Sequence, residues 1–216
     1  MQLIDRYQNS IDDLLKKVRE TQRDNITRAG ELVAKTVMGG GHVYLSGICH
    51  SIENDLINRG GGPVFYKHYN ADTTQLKPGD LLFVSSVSGR TLSVVELTVK
   101  CVEEGINVIA FTSMEYAVQV DPVHPSGKKL YELATLTLDN CAPAAEAMIE
   151  VEGIEARFAA ASGIASAFIL WSLTSVAVEI MLAQGVVPGI LKSANFPGGN
   201  DYNKTIIEPH YEKHGW

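Results

Sequence analysis

The residues best suited to chemistry crowd into one stretch. Ser85, Ser86, Ser88, Gly89 and Thr91 follow directly on the apolar run Leu81-Leu82-Phe83-Val84. From Thr91 onward, Leu92, Val95, Val99 and Val102 recur at helical spacing and predict an amphipathic helix through Glu104. The stretch therefore reads as buried strand, tight loop and helix N-terminus. The first N–H groups of a helix and the positive end of its dipole attract an anion, and hydroxyls donate to its oxygens. The competing reading is that Ser88 or Thr91 only caps the helix. A cap needs one hydroxyl, whereas four of the seven residues from Ser85 to Thr91 carry one. An anion-binding loop is the better account.

Other polar residues fall at corresponding places. Ser46, Gly47 and Ser51 lie in a loop after the short strand His42-Val43-Tyr44-Leu45; Thr112 and Ser113 follow the strand Asn107 to Phe111. Asn140 lies in the loop after a strand read over Leu133 to Leu138. Strands alternating with helices at this spacing imply an α/β fold, a doubly wound parallel sheet of about five strands flanked by helices. All these loops then meet at the carboxyl ends of the strands, where such sheets bind ligands.

Acids and histidines supply the rest. His50 and Glu53, three apart, would share a face if the helix read from Ile52 to about Asn58 reached back to His50, and Asp55 lies on that helix. The bland alternative is that Glu53 and Asp55 are first-turn acids favoured by the helix dipole. His210 and His214, four apart near the C-terminus, have a spacing that suits a metal; two solvated imidazoles on a terminal helix are the alternative. Glu150 and Glu152 read as surface acids or as the two acids of a strand face, and Cys49 as a small apolar filler.

The elements that must position these groups begin with two helices over residues 3 to about 36, followed by Gly39-Gly40-Gly41. Val64-Phe65-Tyr66 reads as a further strand, Ala159 to Ala183 as a long buried helix whose first turn carries Ser162-Gly163, and a short helix runs from about Lys204. The expectation is one domain over 1–216, with N-terminal helices to 38, an α/β core over 39–192 and a polar tail over 193–216 that holds Asn195. The apolar stripes of the first two helices and the Ala/Ser-rich long helix exceed what one sheet covers, which predicts a homodimer or homotetramer.

Composition narrows the classes. A net charge of −7 argues against nucleic-acid binding and means that an anionic ligand is attracted locally, against the global field. Three scattered cysteines make no disulfide or zinc pattern, and the start lacks an apolar signal region, so a reducing cytoplasm is expected. The longest apolar segment, Ile164 to Leu182, carries Ser166, Ser172, Thr174, Ser175 and Glu179 and reads as a buried helix, with no membrane span. Neither Gly-x-Gly-x-x-Gly, a P-loop nor Gly-x-Ser-x-Gly occurs.

Ser86-x-Ser88-Gly89-x-Thr91 between strand and helix resembles the second signature of the sugar isomerase (SIS) domain, which binds phosphosugars. The continuation, Cys101 through Ser113, resembles that family's next helix end, strand and loop. The likeness covers the chain and is closest to the single-domain, phosphoheptose-isomerase-like members, to which the His50-Ser51 pair is also similar. Ile48, Cys49 and His50 depart from the glycine- and serine-rich first loop of the family. The resemblance implies an aldose–ketose isomerase acting on a sugar phosphate through an enediol. Ser46, Gly47, Ser51, Ser86, Ser88, Gly89, Thr91, Thr112, Ser113, Asn140, Ser162 and Asn195 would hold the substrate. A carboxylate after the first loop would move the proton between C1 and C2: Asp55 when counted back from Arg59, Glu53 when counted from the loop. His50 or His210 would assist ring opening or polarise the carbonyl. The family also implies a divalent metal, zinc or manganese, with His50, Glu53, His210 and His214 as ligands. A sulfonated sugar would meet the same cradle. A non-catalytic phosphosugar sensor, or a hydrolase or lyase, is compatible with the same scaffold.

Overall fold

The computed structural model describes residues 2–216. Five parallel strands form the central sheet in the order β2-β1-β3-β4-β5: β1 (Val43–Leu45), β2 (Tyr66–His68), β3 (Leu81–Ser85), β4 (Asn107–Thr112) and β5 (Leu136–Asp139). Every neighbouring pair is parallel, with Val43 opposite both Tyr66 and Leu81, and Phe83 opposite Ile109. The chain reverses its direction of travel across the sheet between β1 and β3, which is the crevice where a ligand is expected in this topology. The doubly wound parallel sheet read from the sequence is therefore what the chain builds.

Both faces of the sheet are buried, so its strands read as continuous apolar runs. Val43, Leu45, Leu81, Phe83, Ile109, Phe111 and Leu138 point to one side. There they meet α1 (Leu3–Thr21), α2 (Arg23–Met38) and the long α5 (Ser162–Ala183). Leu82, Val84, Val108 and Ala110 point to the other, toward α3 (Leu92–Glu103). Each fully buried side chain of this kind contributes roughly 1.5–3 kcal/mol. α5 packs chiefly on α2. The contact is backbone-close: a Cβ on Gly30 would stand 2.6 Å from Val176 Cβ and 2.7 Å from the Leu173 carbonyl oxygen. α5 is also the only helix among the described residues that is long and apolar enough to cross a membrane, and its inner face, from Ser162 to Met181, is core.

Several elements depart from the sequence reading. The break between the first two helices falls at Gln22. The stretch after the first loop is a single 3₁₀ turn, Ile52–Asp55, followed by turn residues up to Asn58, whose left-handed φ of +57° stops a helix from continuing. Leu133 lies outside β5, behind a 3₁₀ turn at Leu130–Glu132. Residues 159 and 160 belong to an antiparallel hairpin, β6 (Ala147–Ile149) with β7 (Phe158–Ala160), so α5 begins only at Ser162. Beyond it come the short α4 (Met114–Ala117), already passed after β4, and the C-terminal α6 (Gly199–Tyr202), a π turn at Asn203–Ile207 and α7 (Glu208–His214).

Candidate functional site

The loop after β3 is held by its own hydroxyls. The Ser86 hydroxyl lies 2.8 Å from that of Thr91 and accepts the Thr91 N–H at 3.2 Å. Gly89 turns the chain at φ +69°, and a Cβ there would come within 3.1 Å of Ala117 Cβ and 3.3 Å of Thr112 Oγ1. Only glycine fits both constraints. Folded this way, the loop leaves the amides of Val87, Ser88, Arg90, Leu92 and Ser93 without a hydrogen-bond partner among the described residues, and the half-buried Ser88 hydroxyl likewise. These donors cluster at the N-terminus of α3 on the carboxyl side of the sheet. That is the chemistry of an anion cradle.

The first loop faces it across the crevice. The Glu53 carboxylate is buried and accepts the Ile48 N–H at 2.7 Å, closing the loop on itself. Cys49 is the hub between the loops: its N–H donates to Ser85 Oγ (3.2 Å), and its Sγ lies 3.1 Å from both Ser85 Oγ and Ser166 Oγ. Asn140 Nδ2 approaches the same sulfur at 3.8 Å. Burial pushes the Cys49 thiol up; donation from Ser166, Ser85 and Asn140 opposes that, and the nearby Glu146 charge adds to it. A neutral filler is what these surroundings favour. Gly47, His50 and Ser51 are exposed at the rim, Ser46 half-buried.

The remaining hydroxyls tie the rim together. Thr112, Ser113 and Asn140 are fully buried. Thr112 Oγ1 donates to the Val87 carbonyl (3.2 Å), Ser113 Oγ to the Ala142 carbonyl (2.6 Å), and Asn140 Oδ1 accepts the Ala142 N–H (3.1 Å). They fix the loops after β3, β4 and β5 relative to one another. Ser162, the first residue of α5, gives both its N–H and its hydroxyl to one oxygen of Glu146. Sequence reasoning passed over Glu146. It sits sixteen residues before its partner, in a stretch with neither helical nor strand period, and so offers no signal.

Not all the expected residues meet. Asp55 is engaged by Arg59 and by the Trp171 indole N–H at 3.0 Å. Asn195 is exposed in the tail, near the turn at Gly60-Gly61. His210 and His214 stack on each other and on Trp216, with ring centroids 4.8–5.2 Å apart. They lie beside Gly189 and near His42, the residue that precedes β1, and thus at the amino end of the sheet. Within one chain the tail histidines stand far from His50 and Glu53. Among the described residues no three His, Cys, Asp or Glu side chains come together in a way that could hold a metal ion. The expected zinc or manganese set of His50, Glu53, His210 and His214 does not assemble among the described residues of one chain. Glu150, paired with Arg157 at 2.6 Å, and Glu152 are both exposed. A cleft of about 620 Å³ opens away from the hydroxyl loops, between edge strand β2 and α7.

The sequence profile of the SIS domain matches residues 6–68 and 62–113, the stretch that contains both facing loops. A protein of Halalkalibacterium halodurans named UPF0309 is 31% identical over 229 residues, covering 93% of this chain and 95% of that one. The chain belongs to the SIS-domain family. A second relative, the UPF0309 protein of Oceanobacillus iheyensis, is 29% identical over 236 residues and covers 96% of each chain. Among solved structures, phosphoheptose isomerase from Neisseria gonorrhoeae superposes with a TM-score of 0.55 at 14% identity, over 84% of this chain and 97% of that one. The Vibrio vulnificus NanR protein complexed with ManNAc-6P gives 0.54 at 15% identity, over 98% and 70%. At these identities the likeness is one of fold. This SIS domain carries the family's parallel sheet.

Proposed function

We propose that this SIS domain is an aldose–ketose isomerase whose substrate is an anionic sugar, a sugar phosphate in the first instance. The observation that carries the reading is the set of unpartnered amides and the Ser88 hydroxyl at the N-terminus of α3, in the crevice between β1 and β3. Donors of that kind, fixed in advance, suit the terminal phosphate of a sugar and attract it despite the net charge of −7. Ser46, Gly47 and Ser51 on the facing loop, with exposed His50 beside them, take the hydroxyls and the carbonyl end. A sulfonate offers the same tetrahedral oxygens and is a second substrate class for the same cradle. The protein works as a homodimer or homotetramer.

Isomerisation then needs a group to exchange the proton between C1 and C2. Deuterated water is the direct test. The protein is incubated with a panel of aldose phosphates from pentose to heptose, and exchange of the C2 proton is followed by NMR. Deuterium at C1 of the ketose formed, and at C2 of the aldose recovered, supports the reading and identifies the substrate.

A second reading is a phosphosugar sensor without turnover. It is favoured by Glu53 and Asp55, whose carboxylates are already engaged by Ile48, Arg59 and Trp171. Calorimetric binding of a sugar phosphate with no exchange of any C2 proton would decide for the sensor.

A further inference from the structure

Among the described residues, Glu146 is the carboxylate with an oxygen that is both buried and without a hydrogen-bond partner. Glu146 and its neighbour Ala145 both take left-handed backbone conformations, φ +81° and +61°. Such conformations are strained for non-glycine residues and persist where the surroundings enforce them. Here they do: the Glu146 N–H donates to the Pro143 carbonyl at 2.9 Å, and its carbonyl accepts the Ala161 N–H at 3.1 Å. The side chain is held as firmly. Oε1 takes both the N–H (3.2 Å) and the hydroxyl of Ser162, while Oε2 is buried with no partner among the described residues. An unpaired buried carboxylate oxygen is costly and calls for an explanation.

Its position supplies one. Ser162 opens α5, whose next turn carries Ser166 against Cys49, so Glu146 stands beside the first loop. Its charge occupies the positive end of α5. The corresponding end of α3 keeps its free amides. The two helix ends therefore differ in sign, which orients a bound sugar phosphate with its anion at α3 and its reacting carbons toward α5.

We infer that Glu146 is the catalytic base of the isomerisation, with Oε2 as the atom that carries the proton. The inference rests on the isomerase reading above. In the step, Oε2 takes the proton from C2 of the open-chain aldose, and the C2–H electron pair becomes the C1=C2 bond. O1 gains a proton, giving the enediol. Glu146 then returns its proton to C1 while O2 loses one, leaving the ketone at C2. C1 is reduced and C2 oxidised within one molecule, and no co-reactant is consumed.

The test uses the aldose phosphate that exchanges with the native protein. Glu146→Gln should lower kcat and C2 exchange by on the order of 10²–10⁴-fold, with KM and calorimetric affinity for the same sugar phosphate kept. Glu146→Ala should regain part of its rate in added formate, which restores a carboxylate but no structural contact. Should Glu146→Gln fail to fold, Glu146→Asp carries the test, with the same fall in kcat at unchanged KM. Exchange at the native rate in Glu146→Gln, or loss of binding and rate together without formate rescue, overturns the assignment and leaves the isomerase reading standing. If the native protein binds sugar phosphates but exchanges none of them, the isomerase reading falls, and the base role with it.

Discussion

At the scale of single residues, the hydroxyls of the β3–α3 loop divide into two kinds. Ser86 faces inward, accepts the Thr91 N–H and keeps the turn closed; Ser88 has its hydroxyl to spare. Replacing both weakens sugar-phosphate binding, but the singles should separate. Ser88→Ala is expected to lower affinity by about 1.5–3 kcal/mol, the worth of a charge-assisted hydrogen bond, at an unchanged melting temperature. Ser86→Ala should lower affinity and melting temperature together. Calorimetry with one sugar phosphate beside thermal unfolding checks both, and unchanged affinity in the pair would remove the cradle assignment. This loop was legible in the sequence because hydroxyls and a glycine break a strand of apolar residues at one point. The ties made by Thr112, Ser113 and Asn140 were legible as polar loop residues, though not their internal partners. Glu146 was illegible, since its meaning comes from Ser162, far along the chain and brought close only by a hairpin.

Elements were read where period and length are strong. The strands β1, β3 and β4 and the helices α1 to α3 follow from short apolar runs, turn glycines and helical spacing. β6 and β7 have three residues each and no alternation, so local sequence holds no trace of them. The turn after the first loop fell short of a helix at its far end, where Asn58 takes a left-handed φ of +57°. α7 carries a consequence for pH. Burial lowers His210 below the ordinary imidazole range, with the His214 charge adding to it, and burial likewise lowers His42, followed by Lys67. His210 Nε2 and His42 Nδ1 are both buried without a partner among the described residues. A histidine whose folded pKa is depressed binds its proton more readily when released. Its contribution is therefore complete above the ordinary value near 6.5 and is lost as pH falls through the lowered folded pKa. Amide protection factors over residues 208–214 should fall below about pH 6.5 while the β3 and β4 amides keep theirs. Uniform protection down the same range would show that α7 does not depend on neutral imidazoles.

For the whole molecule, the sheet and its two apolar layers leave surface that one chain does not cover. Leu3 and Ile4 are 41% and 59% exposed and Phe158 is 50% exposed; together with Tyr7 they line a shallow cleft of about 490 Å³ between α1 and β7. A contiguous apolar patch of this kind is a mark of association, unlike scattered exposed leucines. The hairpin that presents Phe158 also begins at the residue after Glu146, so its burial by a second copy would steady the carboxylate of the site. Light scattering at micromolar concentration is expected to give two or four times the chain mass of 23.5 kDa. Ile4→Asp with Phe158→Asp should reduce that mass while circular dichroism stays native, because neither side chain belongs to the buried core. A native protein that runs as a monomer would end the oligomer proposal. A native oligomer untouched by the two aspartates would move the interface to another face and free the hairpin from it. If the mass falls and C2 exchange falls with it, the second copy is holding the Glu146 rim in shape; if exchange persists in the monomer, one chain contains the whole site.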